Sequence, residues 1–402
     1  MARSDQHTLI PEYVYSYLLD NELLVFTEGI RSLYRLNSSA AFIWCCCEEG
    51  LSHQSITAEL AQTFDLPAPE AESVVSTALS EWKVLGLIGQ GSNPSTSHPE
   101  DQAGTQDTTD AVISVADAGK YQYQIERRYR LLETVIRIRF SEPDMEQVAT
   151  AVFAHLGVSN DEPYNLSLDI HRDSNGYHLY CNEGLVEECV TEEELAPLLH
   201  AYAGGEAFYN AEYLIAIHAA AISRGNACIV LPAKAGNGKS TLTGALIGSG
   251  FHYCTDELVL LKRQTHTIQT VPVGIALKPG SWRLLQPYHP GLEDLPVSLR
   301  PDGKRVRYLL PSKPAFPDNT ARSYAVHSLV FPAYKATYAT ALDPISPADA
   351  LCRLAEAGYD MEGGLDKDRV SELVNWIKGI SCYELRVNDL QEAVTIMSEL
   401  LP

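Results

Sequence analysis

The segment Ala227-Cys228-Ile229-Val230-Leu231-Pro232-Ala233-Lys234-Ala235-Gly236-Asn237-Gly238-Lys239-Ser240-Thr241 constrains this chain more than any other stretch. A β-branched apolar run enters a glycine turn, and Leu242-Thr243-Gly244-Ala245-Leu246-Ile247 then reads as the start of a helix. Strand, Gly-rich turn and helix start, in that order, form the setting of a phosphate-binding loop. Turn N–H groups and the helix N-terminus then converge on one spot and favour an anion there. Gly236 and Gly238 let the backbone double back with no Cβ in the way. Lys239 reaches the outer phosphates, and the Ser240 hydroxyl holds a magnesium ion. Gly236, Asn237, Gly238, Lys239, Ser240 and Thr241 are therefore the candidate nucleotide-binding residues. One slot departs from the usual pattern: Ala233 stands where the first glycine belongs.

At 402 residues the chain exceeds what one hydrophobic core serves, so two or three domains are expected. No apolar run is long enough for a membrane span, and the first residues lack a secretory pattern, which makes the cytoplasm the default compartment. The nine cysteines include the consecutive Cys45-Cys46-Cys47 but show no zinc spacing, as suits reduced thiols. A net charge of -22 argues against nucleic acid and anionic membranes as partners. Residues 1–110 hold four Lys/Arg against sixteen Asp/Glu, which fits either a basic or neutral partner or a merely solvated surface.

Short alternating runs at Tyr15–Leu19, Glu22–Phe26 and Arg31–Leu36 predict strands. Asn37 or Ser38 caps a helix to about Cys47, Ser52 opens a second with Ile56, Leu60 and Phe64 on one face, and Pro69 starts a third. Residues 91–119 are small, polar and acidic, without apolar period, and read as a flexible linker. Beyond it, Thr134–Phe140 predicts a strand, and Asn165–Ile170 with Tyr177–Cys181 a hairpin across Asp173–Gly176. Two carboxylates, Asp256 and Glu257, interrupt the strand pattern Phe251–Leu261. A turn is expected at Lys278–Trp282.

The front layout resembles the PqqD-like family. The residues that carry the likeness are Glu28-Gly29, the run Leu36-Asn37-Ser38-Ser39-Ala40-Ala41-Phe42-Ile43-Trp44, Gly50, and Gly86-Leu87-Ile88. That resemblance implies a domain over residues 10–90 that binds the leader of a ribosomally made precursor peptide as an added strand, around Leu23–Phe26 and Leu33–Leu36. A domain that only packs or dimerises is the alternative. The rest of the chain resembles the HPr kinase/phosphorylase family and its relatives beside peptide-modification systems. Here the carriers are Ile217-His218-Ala219-Ala220-Ala221-Ile222, the Gly236–Thr241 turn, and Thr255-Asp256-Glu257-Leu258-Val259.

Together the resemblances imply an α/β (α+β) HPr-kinase-like P-loop domain with a small winged-helix-like PqqD-type N-terminal domain. The catalytic domain would span 120–402, with an accessory lobe at 120–205 and the P-loop core at 206–402. Carried over by position, Asp256 accepts the acceptor's proton, His218 tunes Asp256 or the phosphate, and Lys239 stabilises the transferred group. Ser240, Glu257 and Asp256 would hold Mg²⁺, and ATP is the implied cofactor, although the residues do not separate it from GTP. His218 reads equally well as a core histidine, and Glu257 as a structural carboxylate. Lys278, Arg305 and Arg307 are either phosphate clamps or exposed charges. The implied activity is phosphoryl transfer to a Ser/Thr hydroxyl, with a small-molecule kinase and a nucleotide-gated binding module as rivals. The family also assembles into homo-oligomers, so this chain is a candidate for one.

Overall fold

The computed structural model describes residues 10–20, 22–28, 33–89, 121–209, 211–225, 227–234, 236–312, 323–337, 339–360 and 366–401. The predicted linker at 91–119 lies outside the described residues, as do Asn21, Gly29, Arg31 and Ala235. Residues 1–103 and 345–382 form one compact unit, and 104–344 with 383–402 form the other.

In the first unit three antiparallel strands, β1 (Val14–Leu19), β2 (Glu22–Thr27) and β3 (Leu33–Leu36), are followed by helices α1 (Ser38–Glu48), α2 (His53–Phe64) and α3 (Ala68–Val84). The helix starts follow their sequence signals. The Asn37 side chain accepts from Ala40 N at 2.9 Å, and Ser52 caps α2 through Ser55 N. Leu23 and Val25 face the helices with Ile43, Trp44, Ile56, Leu60, Val75 and Trp82. Trp44 meets Trp82 edge-on at 5.2 Å, and its indole donates to Glu48 at 2.8 Å. Cys46 and Cys47 are buried in this core, Cys45 is exposed, and none of the nine cysteines is in a disulfide.

Leu24 and Phe26 point to the opposite face and are just as buried. A two-sided buried strand needs a second cover. Two amphipathic helices from far along the chain, Pro347–Ala357 and Lys367–Ile377, share this unit. Tyr17 donates to Lys367 O at 3.2 Å and meets Ser371 Oγ at 2.6 Å, while Arg35 pairs with Asp349 at 3.2 Å. Residues 345–382 therefore depart from the continuous domain expected over 120–402. The chain leaves at Pro344 and re-enters at Tyr383, which are register partners in one antiparallel pair.

The second unit holds two sheets of different character. A six-stranded sheet runs in the order Gly157–Val158, Ile125–Leu131, Thr134–Phe140, Leu166–Arg172, Tyr177–Cys181, Gly184–Cys189. Ile136, Ile138, Phe140, Leu168 and Ile170 cover one face and pack with Val152, Phe153, Leu199 and Ala203 of two helices. The same apolar cluster continues through Leu258, Leu260, Val271 and Val306. The stretch expected to form an accessory lobe, 120–205, thus shares its core with residues that follow the glycine turn. On the polar face Arg139 grips the fully buried Asp169 with two bonds of 2.7 and 2.8 Å.

The other sheet centres on Ile215–Arg224, flanked by Ala227–Pro232 on one side and by His252–Thr255 and Leu258–Leu261 on the other. Ala227–Pro232 also pairs, in parallel, with Tyr324–Tyr334, and that strand meets Thr267–Thr270. Five strands thereby close on themselves. The helix Lys239–Gly248 leaves the end of Ala227–Pro232, and its small residues allow close packing. A Cβ on Gly248 would stand 2.7 Å from Tyr288 Cβ. The turn expected at Lys278–Trp282 is instead the N-terminus of a helix, Pro279–Leu285, because proline at its first position suits a helix start. Among the described residues no helix is long and apolar enough to cross a membrane.

His155 lies 2.5 Å from Pro272 O, and burial pushes its pKa down to about 4. The folded value lies below the unfolded value of 6.5, so its stabilisation is complete above that pH and drains away as pH falls toward 4. Denaturant titrations should show roughly 2 kcal/mol of stability lost from this group between neutrality and mild acid. Glutamine at 155 should flatten that dependence; an unchanged slope would refute the assignment.

Candidate functional site

The glycine turn takes the shape its residues require. Gly236 and Gly238 adopt φ of 95° and 82°, values that disfavour any side chain, and Gly238 is the N-cap of the helix Lys239–Gly248. Asn237 N closes the turn on Lys234 O at 3.3 Å. Ala233 is buried and has no positive φ, so the backbone does not demand glycine at that slot. Ser240 follows Lys239 in the first turn of the helix and is half-buried. The Thr241 hydroxyl is directed to Ser281 Oγ at 3.0 Å.

Lys239 is only 8 % exposed and Asp256 only 4 %. The Lys239 ammonium bonds the Asp256 backbone carbonyl and stands 3.2 Å from Asp256 Oδ1. The hydroxyl of Thr243, one helical turn after Lys239 and fully buried, lies 2.9 Å from Lys239 O and 3.2 Å from the same Oδ1, and can donate to either. Burying a carboxylate is costly unless it is paired and hydrogen-bonded, and here both conditions are met.

Local sequence sets the position of Asp256. The strand stops at Thr255, whose hydroxyl donates to Val271 O at 2.7 Å and accepts from Glu257 N and Leu258 N. That side chain turns the backbone through Asp256-Glu257 before Leu258–Leu261 resumes the sheet. Neighbouring Tyr253 anchors the strand through Val273 O at 2.5 Å.

His218 is the register partner of Leu258 on the central strand and so borders the same break. Its Nδ1 lies 3.7 Å from Glu257 Oε1, and it also feels the charge of Asp256. Burial, aided by Lys239, holds the His218 pKa below its ordinary range, leaving the ring neutral at neutral pH. Glu257 is half-exposed. Desolvation pushes its carboxyl up, but Lys239, His200, His218 and Arg300 together outweigh this and hold it below the usual range.

His200 and Arg300 carry no motif, and sequence reasoning passed over them. His200 sits on the helix Leu195–Tyr209 and stacks on Tyr308 at 5.4 Å, and burial depresses its pKa. Arg300 meets Asp302 at 3.3 Å and adds positive charge near Glu257. The sequence singled out three other cations. Lys278 and Arg305 are exposed, and Arg307 covers the Trp282 ring at 4.2 Å.

The front unit is the part that comparison places. Residues 22–88 match the family model described as Coenzyme PQQ synthesis protein D (PqqD). Residues 22–88 form a PqqD domain. In this PqqD domain β2 is paired on both sides, so the Leu23–Phe26 stretch is not an edge; β3 with Leu33–Leu36 is one. No curated protein matches the chain. Among solved structures, TbiB1 in complex with the TbiA(beta) leader peptide is 19% identical, covers 21% of this chain and 96% of its own, and has a TM-score of 0.20. The Hpr(Ser) kinase/phosphatase from Coxiella burnetii is 11% identical, covers 46% of this chain and 91% of its own, and has a TM-score of 0.22. At such scores neither likeness fixes fold or chemistry.

The pairing makes a direct prediction. Lys239→Met leaves the buried Asp256 carboxylate without its cation and should cost about 3 kcal/mol of stability. Adding Asp256→Asn should recover most of that loss in denaturant melts. Equal stability of wild type and Lys239→Met would show that the pair is not formed.

Proposed function

We propose that this chain is an ATP-dependent kinase that transfers the γ-phosphate to a Ser/Thr hydroxyl of a ribosomally synthesised precursor peptide. The peptide's leader is held by residues 10–90. The observation that carries the reading is the meeting of Lys239 and Asp256 at one buried point where the glycine turn enters its helix. Such a turn presents backbone N–H groups and a lysine to a polyphosphate, and a carboxylate beside that lysine is placed to receive a proton.

In the reaction the acceptor oxygen attacks the γ-phosphorus and forms a new O–P bond. The bond to the ADP oxygen breaks, and ADP leaves with its electron pair. The acceptor's proton passes to an Asp256 carboxylate oxygen, and Lys239 stabilises charge on the phosphoryl oxygens. To do so Lys239 must leave Asp256 for the phosphates. Neutral His218 beside Glu257 keeps the latter's charge from being cancelled by a full ion pair.

The donor set suits Mg²⁺. Ser240 and the ionised Glu257 would hold it, with Asp256 as a further oxygen donor, and it would supply charge neutralisation on the phosphates.

The PqqD domain supports the peptide part of the proposal. The test uses the full chain, γ-labelled Mg·ATP, synthetic leader–core peptides bearing Ser or Thr, and free L-serine. Label should enter the leader-bearing peptide, and Asp256→Asn should lower the rate by about 100-fold or more while ATP still binds. Label on free serine alone would overturn the peptide assignment. Absence of transfer to any acceptor would overturn the kinase reading.

A further inference from the structure

We infer that Thr243 is a positioning residue for phosphoryl transfer: its hydroxyl holds the Asp256 carboxylate in place once Lys239 has turned to the nucleotide. This rests on the kinase reading above. Asp256 Oδ1 lies 3.2 Å from both the Lys239 ammonium and the Thr243 hydroxyl. A triphosphate draws the ammonium away, because three phosphate charges outweigh one carboxylate. Among the described residues, Thr243 is then the side chain left within bonding distance of that carboxylate.

The hydroxyl is well suited to that change. It has one proton and two acceptors, Lys239 O at 2.9 Å and Asp256 Oδ1 at 3.2 Å. While the ammonium covers the carboxylate, the backbone carbonyl is the better acceptor, as for threonines in many helices. Once the ammonium departs, the carboxylate is an uncompensated anion and becomes the stronger acceptor. The proton turns to it with no movement of Thr243, which is locked at full burial on the P-loop helix. The same helix thus carries the phosphate-binding lysine and, one turn later, the group that aims the base. Lys239 and Thr243 lie four residues apart, on one helical face.

Valine at 243 keeps the shape and removes the hydroxyl, and serine keeps the hydroxyl. In the full chain, kcat is read as transfer of label from γ-labelled Mg·ATP to the leader–core peptide, and Mg·ATP affinity is measured by calorimetry. Thr243→Val should lower kcat about 10- to 100-fold while the Kd for Mg·ATP stays within about threefold, because misaimed groups lose rate rather than binding. Thr243→Ser should recover most of the rate. Valine turning over like wild type would overturn the inference and leave the kinase reading intact. So would a valine variant that loses ATP affinity at unchanged kcat, since the hydroxyl would then serve only the loop. A wild-type chain that transfers label to no acceptor would overturn the kinase reading and this inference together. Circular dichroism melts check folding, and Thr243→Ala is read by the same criteria if valine fails to fold.

Discussion

A buried lysine and a buried aspartate hold each other at the point where the glycine turn begins its helix. Neither charge is tolerable there alone. Desolvation would cost each of them several kcal/mol, and their mutual attraction, with the Thr243 hydroxyl and a backbone carbonyl, offsets that cost. Such a pair is weak as a stabiliser and strong as a determinant of geometry. It fixes the distance between the helix Lys239–Gly248 and the strand break after Thr255. A ligand that competes for the ammonium then has a defined carboxylate waiting beside it.

The surrounding charges divide by depth. Lys239, Asp256 and Thr243 lie inside, whereas Glu257, His218, His200 and Arg300 form a shell around the same strand break. The two histidines are held neutral chiefly by burial, which keeps them as polar walls rather than extra cations. Glu257 remains ionised because several positive groups surround it. A half-exposed anion beside a buried one is the arrangement that a metal–phosphate complex can use from its solvent side.

Much of this was legible in sequence wherever the chemistry is local. Gly236 and Gly238 announce positive φ, Asn37 and Ser52 announce helix caps, and two carboxylates in an apolar run announce a strand break. The pieces that depend on distant partners were not legible. His200 sits in an apolar helix and gains its role from Tyr308, more than a hundred residues away. Lys278-Pro279-Gly280 looks like a turn until tertiary packing extends it as a helix. Likewise the residues of β2 read as one half-buried strand; only the chain's return through Pro347–Ala357 and Lys367–Ile377 explains why Leu24 and Phe26 are buried too. An inserted segment that belongs to another unit leaves no local signal.

The most direct measurement is a structure of the full chain with Mg²⁺ and a non-hydrolysable ATP analogue. The account requires the Lys239 ammonium to have left Asp256 for the β- and γ-phosphate oxygens, with the Asp256 carboxylate facing the γ-phosphorus and bonded by Thr243. An analogue seated away from Gly236–Thr241, or a Lys239 that stays on Asp256 with the analogue bound, would contradict it.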